Sequence, residues 1–124
     1  MINSTLNKVL YKRNDQADGF LLVVFDTSMG LFELDNNIFT KVDKLTKGYQ
    51  VLNNYISKPE NLSDIKILKV LFTIDMDFIV ILNNKKVVLI SANSIFGYFD
   101  QTLNVYDIED LTEDYLDEAE KYIF

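Results

Sequence analysis

The chain has 124 residues, of which 48% are hydrophobic and 25% charged, with a single proline, so we expect one globular domain over residues 1–124. It contains neither histidine nor cysteine, and this composition excludes disulfide bonds, thiolate and imidazole catalysis, and the usual zinc ligand sets. The formal net charge of −7 argues against a nucleic-acid ligand, because phosphate contacts require a basic surface.

The N-terminal part of the chain is predicted to form strands. Lys8–Arg13 is interpreted as a strand, although the apolar residues around it also fit one face of a short helix. Phe20–Asp26 is rich in β-branched and aromatic residues, and Leu31–Leu34 can pair with it across Thr27–Gly30. We therefore expect a hairpin here.

The next segment carries the periodicity of an amphipathic helix. Its apolar residues are spaced three or four positions apart, at Val42, Leu45, Tyr49, Leu52 and Ile56. Asp43 is placed to cap this helix, whereas Gly48 costs about 1 kcal/mol relative to alanine. The predicted helix over Val42–Ile56 should therefore depend on packing, and Lys58–Asn61 ends it.

Strands are predicted again after this break. Ile65–Ile74 has the alternation of a strand whose shared face is formed by Leu68, Val70, Phe72 and Ile74. Asp75–Asp77 is predicted to be a turn. Phe78–Leu82 and Val87–Ser91 are predicted to pair as a hairpin, because the asparagines of the intervening Asn83–Lys86 tolerate the positive φ of a tight turn.

The acidic charge of the chain is concentrated at its C-terminal end. Residues 1–98 carry 11 bases and 10 acids, whereas residues 99–124 carry one base and nine acids. Such an asymmetry is typical of an acidic interaction surface or an acidic tail.

The same end of the chain is predicted to form an amphipathic helix. Its apolar residues are again three or four positions apart, at Ile108, Leu111, Tyr115, Ala119 and Tyr122. Asp107 is placed as the N-cap, and carboxylates in the first turn favour the positive end of the helix dipole. Together these elements predict an α+β fold, an antiparallel β-sheet with one or two packed helices, including this acidic C-terminal helix.

No residue pattern points to catalysis or to a cofactor. The four glycines are scattered, so the chain has no glycine-rich phosphate loop. The compact carboxylate pair, Asp75 and Asp77, offers oxygen ligands for Mg²⁺ or Ca²⁺, but aspartate is also a favoured turn residue without any such role. We expect the turn role and, since the chain also lacks histidine, no enzymatic activity, no cofactor and no bound metal. A carboxylate-dependent enzyme or metal-binding protein built around this pair is the alternative.

The aromatic segment Ser94–Asp100 and the acidic helix are the candidates for binding a partner. Three aromatics surround Gly97, and they are either core residues beside a bulge or the apolar centre of an interface with a negative rim. Tyr98 and Tyr106 are the better interface candidates, because each keeps a polar end for water or a partner.

The acidic helix itself allows two interpretations. Its outer face either only keeps the protein in solution or binds a cationic partner. Like-charged neighbours at i,i+4 destabilise a helix by about 0.2–0.5 kcal/mol each, and a surface that tolerates several such pairs is expected of a face that meets positive charge. The predicted partner-binding residues are Tyr98, Asp100, Tyr106, Glu109, Glu113, Asp114 and Asp117.

The chain lacks the patterns of export and of membrane insertion. Residues 1–15 contain no apolar run of the roughly 7–15 residues that a signal peptide needs. The apolar run Phe20–Phe25 is far shorter than the ~18 residues of a membrane-spanning helix. We therefore expect a cytoplasmic protein that binds no membrane.

A small acidic α+β chain with a negative face and no catalytic motif resembles the immunity proteins that bacteria encode beside contact-dependent and other polymorphic toxins. The resemblance is one of overall profile. It implies a cytoplasmic, non-enzymatic inhibitor that binds one cognate toxin, commonly a basic nuclease, by direct protein contact. Small phage-encoded inhibitors of bacterial defence enzymes share this profile, and an adaptor module without an inhibitory role is the alternative from another class.

Overall fold

Ten β-strands dominate the part of the chain that the structure describes. The computed structural model describes residues 1–14, 20–35, 38–52, 65–75, 77–95 and 98–122. The strands are β1 (Leu6–Asn14), β2 (Phe20–Thr27), β3 (Gly30–Asp35), β4 (Ile38–Val42), β5 (Gln50–Leu52), β6 (Ile67–Phe72), β7 (Phe78–Leu82), β8 (Lys86–Ile95), β9 (Tyr98–Asp107) and β10 (Glu120–Tyr122). A 3-10 helix at Ile108–Asp110 and an α-helix, α1, at Glu113–Asp117 precede β10. None of the helical segments in the described ranges is long and apolar enough to cross a membrane.

The strands form two five-stranded sheets, and every strand pairing described is antiparallel. The order in the first sheet is β4-β3-β2-β1-β5, and the order in the second is β9-β8-β7-β6-β10. The two halves of the chain therefore have the same connectivity. Each is a four-stranded meander whose fifth strand lies at the opposite edge of the sheet and pairs with the first strand.

A shared hydrophobic core joins the inner faces of the two sheets. Val23 and Phe25 of the first sheet and Ile67 and Phe78 of the second are fully buried in it. The Phe39 ring lies between the sheets, 5.9 Å from the ring of Phe25 and 5.4 Å from that of Phe78. Because each such side chain contributes about 1.5–3 kcal/mol when it leaves water, this core is the main contact between the sheets.

Backbone hydrogen bonds also link the sheets at one corner. The residues before β1 pair with those before β6 through an isolated bridge between Thr5 and Lys66. The Leu6 N–H donates to the Ile65 carbonyl at 2.6 Å, and the Ile67 N–H donates to the Ser4 carbonyl at 3.1 Å. The first strands of the two halves therefore begin side by side.

The second sheet is buried on both faces. All five residues of β7 are buried, which explains why Phe78–Leu82 is an uninterrupted apolar run rather than an alternating one. The outer face of this sheet is covered by the segment that follows β9, and its buried residues are Leu71, Ile79, Ile81 and Val87.

The predicted α+β class is wrong, because the fold is β-rich and the one α-helix in the described part of the chain has five residues. The helix predicted over Val42–Ile56 does not form. Val42 ends β4, residues 43–49 form neither helix nor strand, and Gln50–Leu52 is β5, while residues 53–56 lie outside the described ranges. Gly48 has a φ of 96°, which a right-handed helix does not accept.

The predicted C-terminal helix is divided into three elements. Leu111 takes an extended backbone (φ −97°, ψ 137°) after the 3-10 helix, and β10 then pairs with β6. The Thr112 hydroxyl accepts the Tyr115 N–H at 3.3 Å, so Thr112 and not Asp107 caps the α-helix. The apolar stripe was nevertheless read correctly in part, because Ile108, Leu111, Tyr115 and Ala119 all pack on the second sheet.

The two predicted hairpins are confirmed, and so is the strand at Lys8–Arg13, which lies within β1. In the turn between β7 and β8, Lys85 takes the positive φ of 66° rather than an asparagine. Asn84 stabilises this turn in another way, because its Oδ1 accepts the Lys86 N–H at 3.1 Å.

The strand predicted over Ile65–Ile74 forms only in its middle, as β6. An irregularity in register between Ile67 and Lys69 interrupts the alternation, so Leu68 is 43% exposed instead of sharing the buried face of Val70. Ile74 lies beyond the end of the strand and is 90% exposed.

Candidate functional site

The chain between β9 and β10 crosses the outer face of the second sheet, because these strands lie at its opposite edges. We call residues 108–119 the acidic crossover. Its apolar residues are partly buried against the sheet: Ile108, Leu111, Tyr115, Leu116 and Ala119. Its six carboxylates are exposed: Glu109, Asp110, Glu113, Asp114, Asp117 and Glu118. The apolar residues therefore pack the segment on the sheet, and the carboxylates that alternate with them are exposed to solvent.

A tyrosine ties the acidic crossover to the turn between β6 and β7. The Tyr115 hydroxyl donates to Asp77 Oδ2 at 2.7 Å. Burial raises the pKa of Tyr115 well above its ordinary value, and the hydrogen bond to Asp77 and the charges of Asp77 and Asp75 raise this pKa further. Tyr115 therefore remains a donor at every physiological pH, and α1 is held against the turn.

An ion pair fixes the start of the acidic crossover. Lys86 Nζ lies 2.6 Å from Asp107 Oδ1, and the Ile108 N–H donates to the Lys85 carbonyl at 2.8 Å. The Asp107 carboxylate is therefore paired with a lysine of the hairpin between β7 and β8. The carboxylates that follow it along the chain are the ones that face solvent.

The carboxylate pair predicted as a turn, Asp75 and Asp77, has a structural role at Asp77. The Thr73 N–H donates to the Asp77 carbonyl at 3.0 Å, and the Asp77 N–H donates to Thr73 Oγ1 at 3.1 Å. The Asp77 carboxylate accepts the Tyr115 hydroxyl. Among the described residues, no group of three or more acidic, histidine or cysteine side chains is arranged to hold a metal ion.

The structure brings five of the seven predicted partner-binding residues to one surface. Glu109, Glu113, Asp114 and Asp117 are exposed on the acidic crossover. Tyr106, which is 38% exposed, pairs with Val87 at the edge of the same face.

Tyr98 and Asp100 lie near the other end of β9. At about 3.3 Å per residue, the six-residue separation puts the Asp100 backbone roughly 20 Å from that of Tyr106. The side chains of both residues lie outside the described part of the structure, and so do Phe96 and Gly97. Residues 98–100 and the start of the acidic crossover are therefore separate along the sheet, although they are close in sequence.

Sequence reasoning missed three features of this surface. Asp110 and Glu118 were part of the charge count but were not selected, because neither was distinguishable from the other acids of the segment. Ile74 was predicted to share a strand face with Val70, but it is 90% exposed and lines a cleft of about 330 Å³ together with Tyr115. The position of Ile74 directly before an Asp-Met-Asp turn was the signal that it lay past the strand end.

No protein-family model, no curated protein and no solved structure matches this chain. No relative therefore supplies a function, and the resemblance to immunity proteins stays an expectation. The two halves of the molecule, however, can be compared with each other.

The first sheet carries a crossover in the equivalent position, because β4 and β5 also lie at opposite edges of their sheet. We call residues 43–49 the first crossover. The Tyr49 hydroxyl donates to Glu33 Oε2 at 3.1 Å, as Tyr115 does to Asp77 in the second half. Burial, together with the charge of Glu33 and the hydrogen bond to it, raises the pKa of Tyr49 to about 12. Both crossovers are therefore anchored by a protonated tyrosine on a carboxylate.

The Lys12 side chain, on β1, contacts the first crossover. Its ammonium lies 4.5 Å from the centre of the Tyr49 ring and donates to Thr46 Oγ1 at 2.7 Å. Leu10 and Val24, which are 4% and 0% exposed, pair with each other but belong to no inner-face cluster. The outer face of the first sheet, which the first crossover crosses, therefore also contains buried apolar residues.

The two crossovers have the same structural role but different charge. Residues 43–49 contain one acid and two bases, whereas residues 108–119 contain six acids and no base. Covering a sheet face and anchoring a tyrosine on a carboxylate therefore do not require a strongly acidic segment. The fold leaves the charge of the acidic crossover unexplained.

A cleft of about 750 Å³ opens at the β1–β5 edge of the first sheet, and its lining includes Tyr11, Lys12, Arg13 and Gln50. Its polar groups serve the fold, because the Tyr11 hydroxyl donates to Gln50 Oε1 at 3.0 Å and Lys12 is bound to the first crossover. Among the described residues, its lining contains no carboxylate.

Proposed function

We propose that this protein binds a protein partner with a basic surface through its acidic crossover, and that it inhibits this partner in the manner of an immunity protein. One observation carries the proposal. The first crossover crosses its sheet with one acid and two bases, whereas the acidic crossover crosses the equivalent sheet face with six exposed carboxylates and no base. A function outside the fold accounts for that difference.

Physical chemistry supports a cationic macromolecule as the partner. Carboxylates concentrated on one face attract a basic surface over a Debye length of roughly 8–10 Å and raise association rates towards 10⁸ M⁻¹s⁻¹ at low salt. An enzyme that acts on nucleic acid has a positive groove for its substrate. An acidic protein that occupies this groove blocks the enzyme, so a basic nuclease toxin is the partner class we favour.

The test is neutralisation of three crossover carboxylates by Glu113→Gln, Asp114→Asn and Asp117→Asn in one variant. All three are exposed, so the variant should fold. Only Glu113 and Asp117 form an i,i+4 pair within α1, so removal of the repulsion should change the free energy of unfolding by less than about 0.5 kcal/mol. Association with the toxin domain encoded by a neighbouring gene should slow about tenfold at roughly 0.05 M salt and little at roughly 0.5 M.

A matched control removes the same charge from the other half of the molecule, by Asp26→Asn, Asp35→Asn and Asp43→Asn. This control should slow association much less, because these residues lie on the first sheet or the first crossover. Equal association rates for wild type and the crossover variant at both salt concentrations would show that the acidic crossover only serves solubility. A genome that encodes no toxin beside this chain would contradict the immunity role while leaving the basic-partner proposal open to test with other cationic proteins.

A further inference from the structure

Ile74 is the most exposed large hydrophobic residue in the described part of the chain. It is 90% exposed, against 65% for Ile38 and 54% for Met29, and it belongs to neither hydrophobic cluster. A turn that follows a strand has no structural need for isoleucine, and polar residues and glycine dominate such positions. The side chain of Ile74 therefore has no role in the fold that the structure describes.

The turn that carries Ile74 is held in place. Thr73 and Asp77 exchange two hydrogen bonds across it, at 3.0 and 3.1 Å, and the Asp77 carboxylate accepts the Tyr115 hydroxyl. An apolar side chain on a preorganised turn loses little conformational entropy when a partner covers it. An aliphatic side chain that fills a pocket on the partner can serve as the central anchor of an interface.

The surroundings of Ile74 are acidic. Asp75 and Glu118 are both exposed, and with Thr73, Ile74 and Tyr115 they line a cleft of about 330 Å³. The acidic crossover continues from this cleft through Asp117 and Asp114. The arrangement is an apolar centre with a negative rim, which is the anatomy of a protein interface.

We propose that Ile74 is the apolar anchor of the partner interface, and that it inserts into a recess bordered by lysine or arginine side chains on a basic protein. This inference rests on the proposed function and adds the contact that would supply affinity, since surface charge mainly sets the association rate. A second copy of the chain is a poor occupant, because two such faces would bring Asp75, Asp117 and Glu118 against their own counterparts. Anionic lipid is repelled for the same reason.

The experiment uses two cationic probes of equal length and charge, an amphipathic helical peptide of leucine and lysine and its counterpart with serine in place of leucine. Wild type should bind the leucine peptide about tenfold more tightly, a difference of about 1.4 kcal/mol. Ile74→Ser should abolish the preference for the leucine peptide and leave the affinity for the serine peptide unchanged. Ile74→Leu should retain the preference for the leucine peptide. Ile38→Ser is the matched control, because Ile38 is also an exposed isoleucine but lies on the edge strand of the first sheet.

The outcomes separate the anchor from the acidic surface. If Ile74→Ser has no effect, or if Ile38→Ser has the same effect, the anchor is disproved. If the carboxylate variant weakens both peptides while Ile74→Ser weakens neither, only the anchor fails and the proposed function survives. If neither variant changes binding, both proposals fail. Sedimentation that shows a wild-type dimer dissolved by Ile74→Ser would make a second copy the occupant and overturn the inference.

Discussion

The hydrogen bond between Tyr115 and Asp77 allows the sharpest test of how the acidic crossover is held. Tyr115→Phe keeps the ring that packs on the second sheet and removes only the hydroxyl, which donates to Asp77 Oδ2 at 2.7 Å. A hydrogen bond to a charged group contributes about 1.5–3 kcal/mol, and the partial exposure of both residues reduces this to about 1–2 kcal/mol. For a domain of this size the midpoint temperature should fall by roughly 3–10 °C.

The assay is urea denaturation of a double-mutant cycle with Tyr115→Phe and Asp77→Ala. If the hydrogen bond accounts for the loss, Tyr115→Phe should cost little once Asp77 is alanine, with a coupling free energy of about 1 kcal/mol. The matched control is the cycle of Tyr49→Phe with Glu33→Ala in the first crossover, which should give a similar coupling. Additive effects in the first cycle would refute the proposed anchoring.

The same pair predicts a dependence on alkaline pH. The folded-state pKa of Tyr115 lies above its ordinary value of 10.0. Its contribution to stability is therefore fully present below pH 10 and is lost as the pH rises through the folded-state pKa. The free-energy difference between wild type and Tyr115→Phe should accordingly be constant up to about pH 10 and shrink between about pH 10 and about pH 12. A difference that stays constant over this range would contradict the assignment of the hydroxyl as the donor.

Two further predictions concern the backbone of the crossovers. Thr112→Ala removes the acceptor of the Tyr115 N–H and should lower the free energy of unfolding by about 1 kcal/mol in urea titrations, whereas an unchanged midpoint would show that α1 needs no cap. Gly48→Ala should cost about 1–2 kcal/mol, because the φ of 96° disfavours any Cβ even though the nearest side-chain atom, Lys12 Cδ, lies 4.0 Å from the added carbon. Thermal melting that finds this variant as stable as wild type would contradict the positive φ.

The sequence patterns predicted strand pairs correctly where the two strands are joined by a short turn. The hairpins at Thr27–Gly30 and Asn83–Lys86 were predicted because turn residues separate two β-forming runs, and both runs and turns are local properties. Even there, the sequence did not indicate which turn residue takes the positive φ, and it is Lys85.

The helical spacing of apolar residues predicted a long helix in two segments, and neither helix forms. The physical reason differs between the two segments. At Val42–Ile56, residues of similar hydrophobicity serve different surfaces: Leu52 packs in the shared core, whereas Tyr49 lies on the outer face of the first sheet. At Ile108–Tyr122 the first four residues of the stripe pack on the sheet, but residues 120–122 pair with β6 as β10 and do not extend α1. Long-range strand pairing thus overrode local helix propensity in both segments.

The amino-acid sequence by itself determined the concentration of acid in the last fifth of the chain, the lack of histidine and cysteine chemistry, and the hairpins, because these depend on composition or on neighbouring residues. Only the tertiary structure decided that both halves share one connectivity and that each half has a crossover anchored by a tyrosine on a carboxylate. It also decided that the side chain of Ile74 is exposed beside the acidic crossover. These properties depend on contacts between residues distant in sequence, such as Tyr115 with Asp77, and no local pattern encodes which distant partner a side chain meets.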